Sequence, residues 1–262
     1  MTVELASPEL QEVAAVLARA TGLSLASGLL RTLRNSLIAA ADELLMTPMD
    51  LARKVIAGDP QGVGVLIEHA VVGETYFYRH PEQLHALAGL LREHPEPLRI
   101  WSAGCASGEE PYSMAMALLD AGRGGRGDAI IATDVSERAL RSARAGVYNA
   151  WSLRRMPPHV RSGHLEGEGQ WRVSDKARAL VELRRHNLVA DPPPPGPFDA
   201  VLCRNVLIYF EPPTAAAILY RLASALTPGG FLVLSPVELP LAAGMELEWI
   251  EVGGATLLRR GS

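Results

Sequence analysis

The chain has 262 residues, is 48% hydrophobic and 21% charged, and carries a formal net charge of −4. It is long enough to bury a sizeable core. The charge gives no global reason to expect nucleic acid or an anionic membrane surface as partner. No apolar run approaches the ~20 residues that a bilayer-spanning helix needs, and two cysteines, Cys105 and Cys203, make neither a disulfide framework nor a metal site. Glu4, Glu9 and Glu12 occupy the stretch where a signal peptide would be basic and then apolar, so a cytoplasmic address is expected. The seven histidines show no metal-ligand spacing, and no metal is expected. Nothing signals oligomerisation, which leaves a monomer as the default.

In chain order, Ser7-Pro8-Glu9 starts a helix that Gly22 closes. A second helical pattern runs over about residues 27–45, with Leu29, Leu30, Leu33, Leu37, Ala40 and Ala41 on one face. Thr47-Pro48 opens a third, ending near Gly58, and a fourth covers about residues 63–72. Residues 1–80 hold nine Asp/Glu against six Lys/Arg, a net of −3, and read as a small helical domain with a linker. The linker itself, GETYFYRH (residues 73–80), crowds three aromatics and an arginine between turn signals. It reads either as a connector pinned by aromatic anchors or as a segment laid over the mouth of the next domain with Arg79 inward.

Residues 98–117, LRIWSAGCASGEEPYSMAMA, organise the remainder, residues 81–262. They read as a buried strand, a small-residue turn at 104–108 and a helix opening near Pro111. Strand, glycine turn and helix N-terminus make a site for a nucleotide-like ligand, because small side chains such as Gly104 let backbone N–H groups approach it. The pair Glu109-Glu110 repels a diphosphate but suits a ligand with hydroxyls and a cationic centre. That favours S-adenosylmethionine, which has a sulfonium and an ammonium.

Residues 129–133 form a second strand ending in Asp134, whose carboxylate is placed to accept ribose hydroxyls. NAD and S-adenosylmethionine enzymes share that feature, and an ordinary helix-capping aspartate gives the same pattern. Ser136 and Glu137 start the next helix. Trp171–Val173 is expected to pair with residues 180–184 as a hairpin in a small β insert over about 160–186. Residues 198–202 are a strand running into Cys203-Arg204-Asn205. Residues 214–226 are a helix stopped by Pro228-Gly229-Gly230, residues 231–234 a further strand, and 249–252 with 256–259 a closing hairpin. The pattern is a doubly wound, Rossmann-like α/β sheet with an antiparallel end strand, behind a small all-helical domain. Ligands in such sheets sit at the carboxyl ends of the strands, where Gly104, Glu110, Asp134, Asn187, Arg204 and Asn205 all fall.

GETYFYRHPEQL (73–84), RIWSAGCASGEEPYSMAMAL (99–118), ATDVSERAL (132–140), HNL (186–188) and FDAVLCRNVLIYF (198–210) resemble the signature blocks of the CheR-type chemotaxis-receptor methyltransferases. The resemblance implies an S-adenosylmethionine-dependent protein-glutamate O-methyltransferase that yields S-adenosylhomocysteine. Its partner would be a chemoreceptor cytoplasmic domain or a related signalling protein, with no nucleic acid and no membrane insertion. It implies cofactor contacts at Thr75, Arg79, Glu110, Asp134, Asn187, Leu188, Arg204 and Asn205. It also implies that Arg79 and Tyr209 lie beside the methyl group and the acceptor carboxylate; a core aromatic is the other reading of Tyr209. Two departures stand out: Gly73 where many relatives carry Asn, and a second helix with only Arg31 and Arg34 where relatives are arginine-rich and grip an acidic receptor region. The insert resembles a small β-subdomain that in some relatives binds a receptor's C-terminal tail.

Methyl transfer to a carboxylate oxygen is an in-line displacement that needs no general base, because a glutamate of pKa about 4.3 is already ionised at neutral pH. Alignment and exclusion of water are the enzyme's part, and Arg79 and Tyr209 suit holding the acceptor. Three alternatives keep less of this reading: another acceptor, a non-catalytic S-adenosylmethionine-binding scaffold, and a dinucleotide oxidoreductase. The turn G-x-x-x-G-E-E in place of G-x-G-x-x-G opposes the last.

Overall fold

A computed structural model describes residues 7–24 and 29–261, with backbone alone at Ser7 and residues 29–31. Glu4, the expected helix start near Ser27, and the side chains of Leu29, Leu30 and Arg31 lie outside the described residues. The chain forms two compact units: residues up to Val72 with Tyr209–Thr214, and Gly73–Ile208 with Ala215 onward.

The first unit is helical: α1 (Ser7–Thr21), α2 (Leu29–Glu43), α3 (Pro48–Ile56) and α4 (Pro60–Ala70). Thr47 and Asp59 cap α3 and α4, their side-chain oxygens accepting from Asp50 N (3.1 Å) and Gly62 N (2.7 Å), with proline at the first helical position of each. Leu33, Leu37, Ala40 and Ala41 of α2 bury the expected face with Leu51, Val55 and Leu66. The returning segment joins this unit through a Leu23–Phe210 bridge and a bond from Ser24 N to the Tyr209 carbonyl (2.7 Å).

The second unit opens with α5 (Pro81–Leu91) and alternates β1 (Arg99–Ala103), α6 (Glu109–Asp120), β2 (Ala129–Asp134) and α7 (Glu137–Ala145). Next come β3 (Val147–Tyr148), α8 (Pro158–His164), β4 (Leu165–Glu166), β5 (Trp171–Val173), α9 (Asp175–Arg178) and β6 (Val181–Arg185). The chain closes with β7 (Phe198–Cys203), α10 (Pro212–Ser224), β8 (Leu226–Leu234), β9 (Leu247–Val252) and β10 (Ala255–Arg260). The main sheet runs β6-β2-β1-β7-β8-β10-β9. Its first five strands are parallel, and β10 and β9 return antiparallel. This is the doubly wound α/β architecture with an antiparallel end.

The expected hairpin between Trp171–Val173 and residues 180–184 does not form. β5 pairs instead with β3 and β4 in a separate three-stranded sheet, and β6 lies parallel to β2 at the edge of the main sheet. Alternation explains it: Val181 and Leu183 pack toward Ala132 and Leu140, whereas Glu182 and Arg184 face solvent, the pattern of a strand buried on one face. The insert therefore spans 147–173 rather than 160–186. The segment 73–80, read from sequence as part of the linker, clusters with the α/β unit. The expected stop at Pro228-Gly229-Gly230 is also displaced. β8 starts at Leu226 and carries these residues through a register shift, Phe198 facing Leu226 but Ala200 facing Phe231.

Where β1 and β2 begin, a buried ion pair joins them. Asp128 Oδ1 accepts from Leu98 N (2.9 Å) and Arg123 Nη2 (2.7 Å), and Oδ2 accepts from Arg123 Nε (2.8 Å). Arg123 also donates to the carbonyls of Leu91, Arg92, His94 and Glu96, and neither side chain is more than 1% exposed. Asp128→Ala leaves that guanidinium buried and unpaired, so urea denaturation should show a loss of about 3–5 kcal/mol; a change within error would refute the role.

Candidate functional site

The five parallel strands end on one side of the sheet, at Ala103, Asp134, Arg185, Cys203 and Leu234. The glycine turn after β1 is fastened to β2: Gly104 N and Cys105 N both donate to the Thr133 carbonyl (2.8 and 2.9 Å), and Ala106 N donates to Asp134 Oδ2 (2.8 Å). Gly104 has φ +79, and a Cβ there would lie 2.6 Å from Val206 Cγ2. At Gly108 (φ +96) a Cβ would lie 2.8 Å from Ala143 Cβ and 3.0 Å from the Tyr148 hydroxyl. Both positions therefore require glycine for packing within the protein as well. The space beside each glycine is filled by protein, Val206 in one case and α7 with Tyr148 in the other.

Ser136 caps α7, accepting from Ala139 N (3.0 Å), and Asp134 Oδ1 accepts from Ser136 N (2.9 Å). His186 N donates to the Asp134 carbonyl (2.9 Å), which brings the turn after β6 beside it. In that turn Asn187 Oδ1 accepts from Val189 N (2.9 Å) and Ala190 N (3.3 Å), and the Leu188 carbonyl accepts from Arg221. Asn187 therefore shapes its own turn.

The acidic pair divides its work. Glu109, 2% exposed, accepts from Ser107 Oγ (2.7 Å) and Ser152 Oγ (2.9 Å). Glu110 accepts from Ser102 Oγ (2.7 Å) and pairs with Arg204 Nη1 at 3.3 Å. Burial pushes both carboxyls above the ordinary glutamate value of 4.5, and Arg204 and Ser102 pull Glu110 back only in part. The two carboxylates expected to act as a pair thus have separate partners: Glu109 is bound by serine hydroxyls, and Glu110 is ion-paired to Arg204.

Arg204 gathers the site. Its side chain is 2% exposed; Nε donates to Gln83 Oε1 (3.0 Å), Nη1 to Glu110 and Nη2 to the Arg79 carbonyl. Gln83 Nε2 in turn donates to the Leu234 carbonyl (2.7 Å) at the tip of β8. Arg204 is the bond between Glu110 and the segment carrying Arg79. Next to it, Asn205 stands at φ +59 with its Oδ1 buried and unpartnered among the described residues. Glu238, wholly buried, takes the backbone N–H groups of residues 205–208.

The segment 73–80 is held in a costly conformation. Tyr78 (φ +56) and His80 (φ +53) flank Arg79, both in the left-handed region. Phe77 N donates to the Ser152 carbonyl (2.9 Å), and Tyr78 N to Ser113 Oγ (3.0 Å), which itself donates to the Glu109 carbonyl (2.6 Å). The Arg154 guanidinium stacks between Tyr76 (4.1 Å) and Trp151 (4.2 Å) and pairs with Glu74 at 2.7 Å. Arg79 is half-buried; Nη1 donates to the Glu74 carbonyl (3.3 Å), and its charge bears on Glu110 and Arg204. Thr75 lies in the same segment, half-buried, and Tyr209 belongs to the helical unit.

Arg79, Glu110, Arg204 and Asn205 are thus brought together, and Asp134 with Gly104 and Asn187 forms an adjoining group. The orphaned acceptor of Asn205 suits an ammonium or hydroxyl donor, and the Asp134 carboxylate suits hydroxyls. These residues fit S-adenosylmethionine. Sequence reasoning missed Gln83 and Glu238. Gln83 sits inside a quoted block, and Glu238 is a lone acid in the apolar stretch FLVLSPVELPLAA, itself a signal that its charge must be satisfied inside.

Two outcomes follow for variants. Gly104→Ala places a methyl group against Val206 at positive φ, so it should cost at least about 1–2 kcal/mol in urea unfolding; a neutral effect would refute the packing. Because Glu109 is raised, the folded state keeps a proton that the unfolded chain releases. Its contribution is therefore complete below pH 4.5 and declines as pH rises through the raised value. Glu109→Gln should flatten the fall in stability just above pH 4.5 relative to the parent; parallel curves would contradict the shift.

Residues 73–239 match the family model described as CheR methyltransferase, SAM binding domain. The chain is 38% identical over 201 residues to a chemotaxis protein methyltransferase of Vibrio parahaemolyticus, covering 72% of this chain and 73% of that one. It is 34% identical over 232 residues to chemotaxis protein methyltransferase 2 of Pseudomonas aeruginosa, covering 85% and 83%. It is also 38% identical over 216 residues to the probable biofilm formation methyltransferase WspC of the same organism, covering 78% of this chain and 51% of that one. The chain belongs to the CheR methyltransferase family.

Proposed function

We propose that the chain methylates glutamate side-chain carboxylates of a chemoreceptor cytoplasmic domain, using S-adenosylmethionine, releasing S-adenosylhomocysteine and needing no metal. The observation that supports it most is coincidence: the family match over 73–239 spans the run from the Arg79 segment to Glu238 that builds the strand-tip site. Such an acceptor puts the reaction in the cytoplasm, and no helix among the described residues is long and apolar enough to cross a membrane.

Glu110, Asp134, Asn187, Leu188, Arg204 and Asn205, with Thr75, Arg79 and the backbone at Gly104, are the residues that would hold the cofactor, which supplies an electrophilic methyl on a sulfonium. Arg79 has one N–H engaged with the Glu74 carbonyl, and an arginine offers five, enough to grip a carboxylate in two places. It holds the acceptor and sheds its water, and Tyr209 orients the same group without removing a proton, since the acceptor is ionised already. Arg204 keeps Arg79 in place through its carbonyl and leaves that guanidinium available to the acceptor.

A second reading keeps the chemistry and changes the acceptor to a protein other than a chemoreceptor, one that serves biofilm formation. It is favoured by the WspC relative, whose 38% identity equals that of the first chemotaxis relative.

Radiolabelled methyl transfer into receptor fragments, with peptide mapping, separates the two. Incorporation that alkali releases identifies carboxyl esters; alkali-stable label would overturn glutamate as acceptor. Arg79→Ala should lower kcat/KM by about 10- to 100-fold, matching lost charge-assisted bonds of about 1.5–3 kcal/mol. Full turnover in this variant would remove Arg79 from the mechanism.

A further inference from the structure

Glu238 carries a buried carboxylate at the strand tips for which the proposed chemistry has no direct use. It is 0% exposed, and among the described residues no Lys, Arg or His lies within ion-pair distance of it. Its neutralisation is almost wholly by backbone. Oε1 accepts from the N–H groups of Val206 (2.7 Å), Leu207 (2.7 Å) and Ile208 (3.3 Å). Oε2 accepts from Asn205 N (2.8 Å), Ser235 N (3.1 Å) and Ser235 Oγ. Burying a carboxylate without a cation is costly, and a run of consecutive N–H groups is one of the few arrangements that offsets the cost.

Those N–H groups belong to the turn that follows β7. Asn205, its first residue, is left-handed at φ +59, a conformation that a non-glycine residue keeps only when its surroundings impose it. The same residue ends in a buried oxygen that nothing among the described residues satisfies. Val206, its neighbour, fills the space beside Gly104. One carboxylate thus fixes both the strained backbone of Asn205 and the wedge that sets the glycine turn.

We propose that Glu238 is a positioning residue for the cofactor, acting through Asn205: its carboxylate sets the turn so that Asn205 Oδ1 is presented to the ligand. This inference rests on reading the strand tips as the S-adenosylmethionine site. The side chain touches neither cofactor nor acceptor. The negative charge it leaves beneath the turn also suits a ligand with two cationic groups, and it bears on Arg204 and Glu110.

Glu238→Gln tests the idea because it is isosteric. Whichever way the amide is turned, an NH2 group replaces an oxygen that accepted three bonds, so the turn must give. With the full chain, adenosylhomocysteine affinity is measured by calorimetry well below the unfolding temperature, and amide hydrogen exchange is followed at residues 205–208. The expected result is faster exchange in the turn and affinity weaker by about tenfold or more. Asn205→Ala should lose a similar factor, and the double variant no more than either single one, since both remove the same presentation. A lowered melting temperature with unchanged affinity would reduce Glu238 to a structural role and overturn the proposal; additive losses would overturn its action through Asn205. If Glu238→Gln fails to fold, Glu238→Asp, which keeps the charge one methylene short of the turn, should also weaken affinity, and parental affinity there would overturn the proposal. A parent protein that does not bind adenosylhomocysteine overturns this inference together with the cofactor reading, whereas parental binding with an unaffected variant overturns this inference alone.

Discussion

The site depends on one buried guanidinium. Arg204, at the tip of a central strand, holds a carboxylate of α6, an amide of α5 and a carbonyl of the aromatic segment at once, so three separate stretches of chain are fixed by one planar fork. Burial draws its pKa down, and Glu110 is drawn up by the same burial. An ion pair so placed adds little net stability, because desolvation consumes most of the attraction. Its worth lies in geometry: arginine's donors are rigid and directional, and a lysine in its place would offer a point charge without the fork.

Around that fork the backbone is strained. Leu45, Tyr78, His80, Ala106 and Asn205 are the described non-glycine residues with positive φ, and all but Leu45 belong to the site's loops. Each such residue costs of order 1–3 kcal/mol, and each of these four is tied by a bond to a neighbour: Tyr78 to Ser113, His80 to Gln83, Ala106 to Asp134, Asn205 to Glu238. The cost is met during folding, so the loops do not have to be ordered when a ligand arrives.

Much of this was legible in the sequence, for identifiable reasons. Parallel strands are buried on both faces and read as short apolar runs, so β1, β2 and β7 stood out, and the loops at their ends named the candidate residues. The edge strand β6 was misassigned because VELRR alternates, which a hairpin and a one-sided edge share. Pro228-Gly229-Gly230 misled because strand breakers also occur where a register shift lets them sit inside a strand. The acidic pair looked like one feature and is two, since successive helical residues point about 100° apart and meet different partners. Glu238 escaped because its partners are amides contributed by a turn some thirty positions away, and an amide leaves no mark in a sequence.

The ion pair of Arg123 and Asp128 lies at the amino ends of β1 and β2, a strand length away from the ligand end. Breaking that pair strands a buried charge, so the sheet depends on its integrity at the end opposite the strained loops of the strand tips. Change in the residues at the strand tips leaves that pair intact beneath them. Damage at the amino ends has the reverse character: it leaves every ligand-side group intact and withdraws the reserve that lets those groups stay in place.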